Sequence, residues 1–322
     1  MTTTLPQQLL DRWKELYSEK EYKDLLHTLS KTQTVSFRTN TIKTTSETLE
    51  KELTKQGFAL KKLSWYSDAF ILENKSIREL TETNEYKNGL LYIQNLSSMV
   101  PALVLDPKPH EKILDIAAAP GSKTTQIAMM MKNTGELTAN DLSFKRLFKL
   151  KENVKNLGVT NIKILNLPGE SFWKNLPEYF DRTLVDVPCS MEGRIRTANP
   201  KTYQDWSTKK IKQLSKLQKY LLRSAIASTK VGGTIVYSTC TLAPEENEEV
   251  IEWVMKKTPD ALTVEHITLP NVQLQSGLSS WKKKQFRYTG NSARIFPSVE
   301  MEGFFVAKIH KIASTLPTGT II

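Results

Sequence analysis

Two cysteines, Cys189 and Cys240, are the only thiols in 322 residues. Each stands at the end of an expected strand. Asp181 to Ser190 reads as a strand running out into Asp186-Val-Pro-Cys189-Ser. Thr234 to Cys240 reads as another, closing on the thiol. Asp115, Asp141 and Asp186 stand at strand ends in the same way. A lone cysteine is usually a small buried hydrophobe. Two of two at one edge, each beside a turn, shift the balance toward catalysis. A thiolate there would act covalently, splitting one hard step into several easier ones.

What that thiolate would meet is set by Lys112-Ile-Leu-Asp-Ile-Ala-Ala-Ala-Pro-Gly-Ser-Lys-Thr-Thr125. Lys112 to Ile116 predicts a buried strand ending near Asp115. Ala117 to Ser122 predicts a tight small-residue turn, and a helix follows from Lys123. Strand, turn and helix form the first unit of an α/β nucleotide-binding sheet. The dinucleotide fingerprint G-x-G-x-x-G is missing. The phosphate-cradling NTPase loop is missing too, because Ser122 separates Gly121 from Lys123. The turn therefore suits a nucleoside-like cofactor without phosphates, with S-adenosylmethionine the leading candidate. Asp141 lies 20 residues beyond Gly121 (141 − 121), the distance at which such folds set a carboxylate on ribose hydroxyls.

A thiolate beside a methyl sulfonium suggests one reaction. Carbon 5 of a pyrimidine is too weak a nucleophile to take a methyl group. Thiolate addition at carbon 6 makes carbon 5 enamine-like; methylation, proton loss and thiolate expulsion follow. Asp186 is suitably placed for a hydrogen bond at ring N3.

The elements that must position these groups follow the order of an open parallel sheet. Strands are expected at 112–116, 136–141, 161–165, 181–190 and 234–240, with helices at 143–157 and 207–229. Gly232-Gly233 is expected to close the second helix. Pro244-Glu-Glu-Asn-Glu248 should start another. A strand pair at 293–296 and 303–309 should end the sheet. Before it, Leu5 to Leu29 reads as a helical cap. Val35 to Thr41, Ser46 to Gly57, Ala59 to Trp65 and Ala69 to Glu73 form a strand–helix–strand block. Arg38 and Asn40 on its first strand either bond within the fold or contact a partner. The expected division is a helical segment over 1–34, a small α+β module over 35–88, the larger domain over 89–311 and a tail over 312–322.

Composition bounds the partners. Lys and Arg total 45 against 34 acids, for a net charge of +11 and pI ≈ 9.4. A polyanionic partner or a generally basic surface would both explain this. Lys145, Arg146, Lys149, Lys151 and Lys155 mark one basic helix; Lys209, Lys210, Lys212, Lys216, Lys219 and Arg223 mark the other. Two cysteines and 4 scattered histidines suit neither a disulfide framework nor a metal centre. Sparse thiols point to a reducing cytoplasm. No apolar run approaches the ~20 residues of a membrane span, and the amino terminus lacks a secretion signal.

The motifs together resemble the Nop/Sun family of RNA cytosine-C5 methyltransferases. Asp115-Ile-Ala-Ala-Ala-Pro-Gly-Ser-Lys-Thr, Ala139-Asn-Asp, Asp186-Val-Pro-Cys-Ser and Tyr237-Ser-Thr-Cys-Thr-Leu-Ala-Pro-Glu-Glu-Asn-Glu carry the likeness. Ser36-Phe-Arg-Thr-Asn-Thr, Gly89-Leu-Leu-Tyr-Ile-Gln-Asn and Arg294-Ile-Phe-Pro extend it over nearly the whole chain. It implies a Rossmann-like doubly wound α/β methyltransferase sheet with a small amino-terminal α+β, RRM/ferredoxin-like module that helps hold RNA. It implies Cys240 as nucleophile, Cys189 in product release, and Asp186 and Lys123 beside the base. Ala117, Ala118, Ala119, Pro120, Gly121, Ser122 and Lys123 would form the S-adenosylmethionine loop, with Asp141 on the ribose and Arg146 and Asp186 completing the cofactor set. Ser122, Pro168, Met191 and Ser298 depart from the family pattern. DNA cytosine-C5 methyltransferases use the Pro-Cys thiol instead, which would promote Cys189. A methyltransferase acting on an amine or oxygen would need no thiol, and an RNA-binding assembly factor on the same fold would be silent. Ribosomal RNA is favoured over transfer RNA, since no tRNA-recognition module is read beyond Lys311.

Overall fold

Beyond the expected helical cap, the described residues build a four-stranded sheet, a nine-stranded sheet and a separate two-stranded hairpin pairing Ser280–Trp281 with Lys284–Gln285. The computed structural model describes residues 5–316; positions 1–4 of the expected amino-terminal segment and 317–322 of the expected tail lie outside. The cap is two helices rather than one, α1 (Gln7–Leu16) and α2 (Glu19–Leu29). Ser18 divides them. Its hydroxyl accepts from the Glu21 amide while the Glu21 carboxylate accepts from the Ser18 amide, a reciprocal cap that starts a new helix. The apolar face of the pair, with Leu9, Trp13, Leu25 and Leu29, packs on Ile195, Tyr203 and Leu242. The cap thus leans on the loops that follow the two cysteines.

The small module contains β1 (Val35–Thr39), α3 (Ser46–Lys55), β2 (Leu60–Lys62), β3 (Ala69–Leu72), α4 (Ile77–Glu82), α5 (Asn84–Lys87) and β4 (Leu91–Ile93). Its strands are antiparallel in the order β2-β3-β1-β4, the ferredoxin-like arrangement. Phe37, Leu49, Leu53 and Phe70 fill its core. Expecting the larger domain to begin at residue 89 proves too early. Leu91–Ile93 pairs with β1, because its backbone completes the open edge of that sheet.

The larger domain opens with the buried helix α6 (Leu96–Leu105). There follow β5 (Lys112–Asp115), α7 (Ser122–Met130), β6 (Glu136–Asn140), α8 (Phe144–Leu157), β7 (Ile162–Leu165), β8 (Phe180–Asp186), α9 (Thr208–Ser228), β9 (Thr229–Thr239), α10 (Glu248–Lys257) and β10 (Leu262–Glu265). Short strands β11 (Gln275–Ser276), β12 (Ser280–Trp281), β13 (Lys284–Gln285) and β14 (Ala293–Ile295) precede β15 (Phe304–Lys311). The nine-stranded sheet runs β11-β14-β15-β9-β8-β5-β6-β7, with β10 also on β15. Strands β5 to β9 are parallel, and β15 is antiparallel to β9. The order reverses at β5, between β6 and β8, and the crevice for a ligand lies outside the carboxyl ends there. Apolar clusters cover both faces, as a parallel sheet requires.

Gly232-Gly233 does not close a helix. The helix stops at Ser228 and both glycines sit inside β9, where the pairing with β8 shifts register. Gly232, at φ 83°, supplies the left-handed residue such an irregularity uses. Helix α10 also starts later than expected, at Glu248, because Pro244 to Asn247 form a turn that holds the second cysteine motif.

Candidate active site

Asp115 ends β5 and Ala117 to Pro120 turn away from it, so small side chains line the floor of a cavity of about 310 Å3. Gly121 sits at φ 102°, and a Cβ there would meet Leu150 Cδ1 at 2.6 Å. The turn can close against α8 only with glycine. Asp115 is fully buried; burial raises its carboxyl from 3.8 to about 7. Thr124 Oγ1 donates to its Oδ2 at 2.6 Å, while Oδ1 has no partner. A buried carboxylate oxygen without a donor, above a floor of alanines, fits the ammonium of an amino-acid-bearing nucleoside.

Across the cavity, Lys123 and Asp186 meet. Lys123 Nζ donates to Asp186 Oδ2 at 2.7 Å and to Ser98 Oγ at 2.8 Å, and Ser238 Oγ donates to Asp186 Oδ1 at 2.7 Å. The first turn of α7, the end of β8 and the interior of β9 thereby place one charged pair at the cavity wall. Lys123 also lies 5.4 Å from the centre of the Phe304 ring.

The thiols converge beside this pair. Cys189 Sγ and Cys240 Sγ are 3.3 Å apart and unbonded. Parallel pairing sets Asp186 opposite Ser238, which brings both strand ends to one level. Cys240 lines the cavity; Cys189 is buried behind it. The hydrogen bond with Cys240, and then burial, push the Cys189 thiol up. Glu246 fixes both loops. Its carboxylate accepts from the Ser190 hydroxyl, from the Ser190 amide at 3.0 Å and from Gln218 at 2.8 Å. Ser190 in turn bonds Thr241 at 2.7 Å. Burial raises Glu246 from 4.5 to about 7. Thr239 Oγ1 donates to Asn247 Oδ1, and Asn247 Nδ2 donates to the Thr241 carbonyl. Thr-Cys-Thr-Leu-Ala-Pro-Glu-Glu-Asn is thus a self-bonded turn that aims one sulfur.

Asp141 and Gly121 are not among the residues lining the cavity. The Asp141 carboxylate is buried, accepting from the Ala119 amide at 3.1 Å and the Ser143 amide at 2.9 Å. Arg146 does line the cavity; it pairs with Asp141 at 3.3 Å and donates to the Ala119 carbonyl.

Sequence reasoning missed several lining residues: Ser98, Arg194, Glu302 and Phe304. Arg194 belongs to the loop after Cys189, and its Nε pairs with Glu302 at 3.2 Å. Its side chain is 54% exposed. Among the described residues its two terminal nitrogens have no acceptor. Gly193 donates to the Cys240 carbonyl and Gly303 to the Gly193 carbonyl, each at 3.1 Å. That backbone ladder pins Arg194 at the cavity mouth. The signal available in sequence was an arginine five residues after Cys189. Arg38 and Asn40 prove internal to the fold. Arg38 is buried and reaches Gln94, the Ser122 carbonyl and Thr125. Asn40 donates to the carbonyls of Gly89 and Leu157.

No helix among the described residues is long and apolar enough to cross a membrane. Comparison with known proteins places these features. The family described as "16S rRNA methyltransferase RsmB/F" matches residues 102–310. The "N-terminal domain of 16S rRNA methyltransferase RsmF" matches residues 5–96. "Ribosomal RNA small subunit methyltransferase F" of Vibrio cholerae serotype O1 is 40% identical over 291 residues, covering 89% of this chain and 59% of the relative. Its Escherichia coli O157:H7 counterpart is 35% identical over 325 residues, covering 98% and 66%. The chain therefore spans about three fifths to two thirds of those relatives. Among solved structures, a methyltransferase homolog protein from Pyrococcus horikoshii superposes with TM-score 0.82 at 34% identity, covering 95% of both chains. NSun6 from the same organism has the same fold, at TM-score 0.82 and 24% identity, covering 96% of this chain and 99% of that one.

Proposed function

The chain belongs to the RsmB/F family of 16S rRNA methyltransferases, and from that premise we propose that it methylates carbon 5 of a cytosine in small-subunit ribosomal RNA, in the cytoplasm, using S-adenosylmethionine. The observation that carries the reading is the pair of sulfurs 3.3 Å apart, with Cys240 open to the cavity that also holds Asp186 and Lys123.

S-adenosylmethionine, when bound, supplies an electrophilic methyl group. Asp115 and the Ala117–Pro120 floor would hold it. Arg146 and Asp141 would stiffen that floor from behind, and the Asp141 carboxylate, with one backbone amide on each oxygen, keeps lone pairs that a ribose hydroxyl would use. The target base leaves its stack to enter the cavity, at a cost of about a few kcal/mol that is smallest in unpaired RNA. The Cys240 thiolate adds to carbon 6. The displaced electrons build negative charge on ring N3, which the Lys123–Asp186 pair meets with a donor. Carbon 5 would then take the methyl carbon as the sulfonium–methyl bond breaks, that bond's electron pair staying on the sulfur of the departing thioether, and would afterwards lose its proton to a base. The returning electrons expel the Cys240 thiolate. Cys189, held protonated, donates its S–H to the departing sulfur.

The test is bisulfite sequencing of small-subunit ribosomal RNA incubated with the protein and cofactor. One protected cytosine is expected, and Cys240→Ala should abolish it. Methyl incorporation that survives Cys240→Ala would sink the covalent reading and favour transfer to an amine or oxygen.

A further inference from the structure

A second concavity, of about 670 Å3, lies between α9, α10 and the β12–β13 hairpin. It is separate from the cysteine cavity but shares one element with it. On the Pro244–Asn247 turn, Glu246 holds the cysteine loops, whereas its neighbour Glu245 lines the second concavity. Lys212, Lys216 and Lys219 recur at helical spacing along the α9 wall. Lys282, Lys283 and Lys284 face them from the hairpin. Some 70 residues of chain separate the two groups, so only the fold unites them.

The acids present neutralise only part of this charge, and Lys282 pairs with Glu15 at 4.0 Å. Glu245 is held by Arg12 at 2.7 Å and receives Trp281 Nε1 at 3.2 Å. Glu249 is held by Lys284 at 2.5 Å. Among the described residues, Lys212, Lys216, Lys219 and Lys283 have no carboxylate within ion-pair distance. The wall between the lysines is aromatic. Tyr220 and Trp253 meet edge to face, their ring centres 5.9 Å apart, and Tyr220 remains 41% exposed. The floor is the Trp281 ring, with Lys282 at 5.4 Å.

Unpaired cations around one exposed ring, Tyr220, suit a chain that alternates phosphates with flat bases. Backbone-tracking lysines with stacking rings are how single strands are held without sequence readout. An acidic peptide would use the cations but leave the rings idle. We propose that this concavity binds a single-stranded RNA segment flanking the target cytosine, with phosphates on the lysines and a base on Tyr220. The proposal rests on the RNA reading above and narrows it. Lys212, Lys216 and Lys219 of α9 line this concavity, and no α8 lysine does.

Fluorescence anisotropy of a labelled single-stranded RNA oligonucleotide with the full chain tests this across a salt series. Lys216→Glu with Lys283→Glu should weaken binding about tenfold or more. It should also make the salt slope shallower by about 1.4, since two phosphates on a single strand contribute ~0.7 each. Tyr220→Ala should weaken binding about five- to tenfold, as loss of one stacked base does, without changing the slope. Lys151→Glu with Lys155→Glu on α8 should do distinctly less. Parental affinity and slope in the concavity variants would overturn the proposal. So would an α8 pair that weakens binding as much, or poly-glutamate competing as well as unlabelled RNA. Binding is read without methyl transfer, so a failed methylation assay leaves this result standing.

Discussion

Cys189 and Cys240 are 51 residues apart in the chain, and their sulfurs are 3.3 Å apart in the fold. The two are not equivalent. Cys240 faces the cavity, whereas Cys189 is 8% exposed and has a raised thiol pKa. On the proposed reading, the half-buried sulfur lining the cavity would reach the base, and the buried one would serve it. With RNA containing 5-azacytosine, which traps the adduct, Cys240→Ser should give no covalent species on a denaturing gel. Cys189→Ser should accumulate a protein–RNA adduct with unmodified RNA as well. The reverse pattern would make Cys189 the nucleophile.

Arg194 stands at the cavity mouth, and among the described residues it is tethered through Nε to Glu302 with its terminal nitrogens unused. A guanidinium so placed would bond an oxygen of the incoming nucleotide. Arg194→Ala should lower kcat/KM for RNA about tenfold or more, equivalent to about 1.4 kcal/mol, while calorimetric cofactor affinity stays at the parental value. Arg194→Lys should restore part of the loss, having charge without the bidentate fork. Unchanged kcat/KM would remove Arg194 from the site.

Glu246 predicts a pH signature. Its folded pKa of about 7 lies above its ordinary 4.5, so the folded state holds a proton that the unfolded state gives up. Stability from this group is fully present below about 4.5 and declines as pH rises toward 7. Asp115 acts in the same direction between 3.8 and about 7. Glu246→Gln should flatten the fall by about one proton's worth, measured as the difference in urea midpoint between variant and parent across this range. A parallel pair of curves would show that Glu246 does not carry a proton in the fold.

Arg38 joins the small module to the start of α7. It donates to Gln94 at 2.8 Å, the Ser122 carbonyl at 3.0 Å and Thr125 at 2.7 Å, and stacks on Tyr92 at 5.0 Å. Arg38→Met leaves the buried Gln94 Oε1 without a donor and removes the bonds to the Ser122 carbonyl and Thr125 hydroxyl. A loss of about 2–4 kcal/mol is expected in urea unfolding, with weaker cofactor binding because Ser122 and Thr125 begin α7. Cofactor affinity unaffected by the substitution would mean that the module does not brace the loop.

Gly193 and Gly303 touch backbone to backbone. A Cβ on Gly193 would lie 2.0 Å from the Gly303 carbonyl oxygen, and neither segment can yield without breaking the ladder to Cys240. Gly193→Ala should destabilise by about 1–3 kcal/mol and reduce turnover more than it reduces cofactor affinity. Equal effects on both would point to general unfolding rather than a displaced mouth loop.

Local chemistry wrote much of this protein into its sequence. Buried apolar runs ending in Asp115, Asp186 and Cys240 fix the strands, since such segments must lie inside a parallel sheet. The small residues from Ala117 to Gly121 fix the turn, and the two thiols at strand ends point to covalent chemistry. These features depend on neighbours in the chain, so periodicity and residue size reveal them.

What tertiary structure decided involves groups far apart in sequence. The pairing of Leu91–Ile93 with β1, and Gly232-Gly233 lying inside β9, follow from which backbone edge was free. That Arg38 is buried under α7, that Asp141 is occupied by Ala119 and Ser143, and that Arg194 faces Cys240 are consequences of strand register and loop packing. A side chain's partners are set by three-dimensional approach, and a charged residue reads the same in sequence whether it meets solvent, a carboxylate or a base.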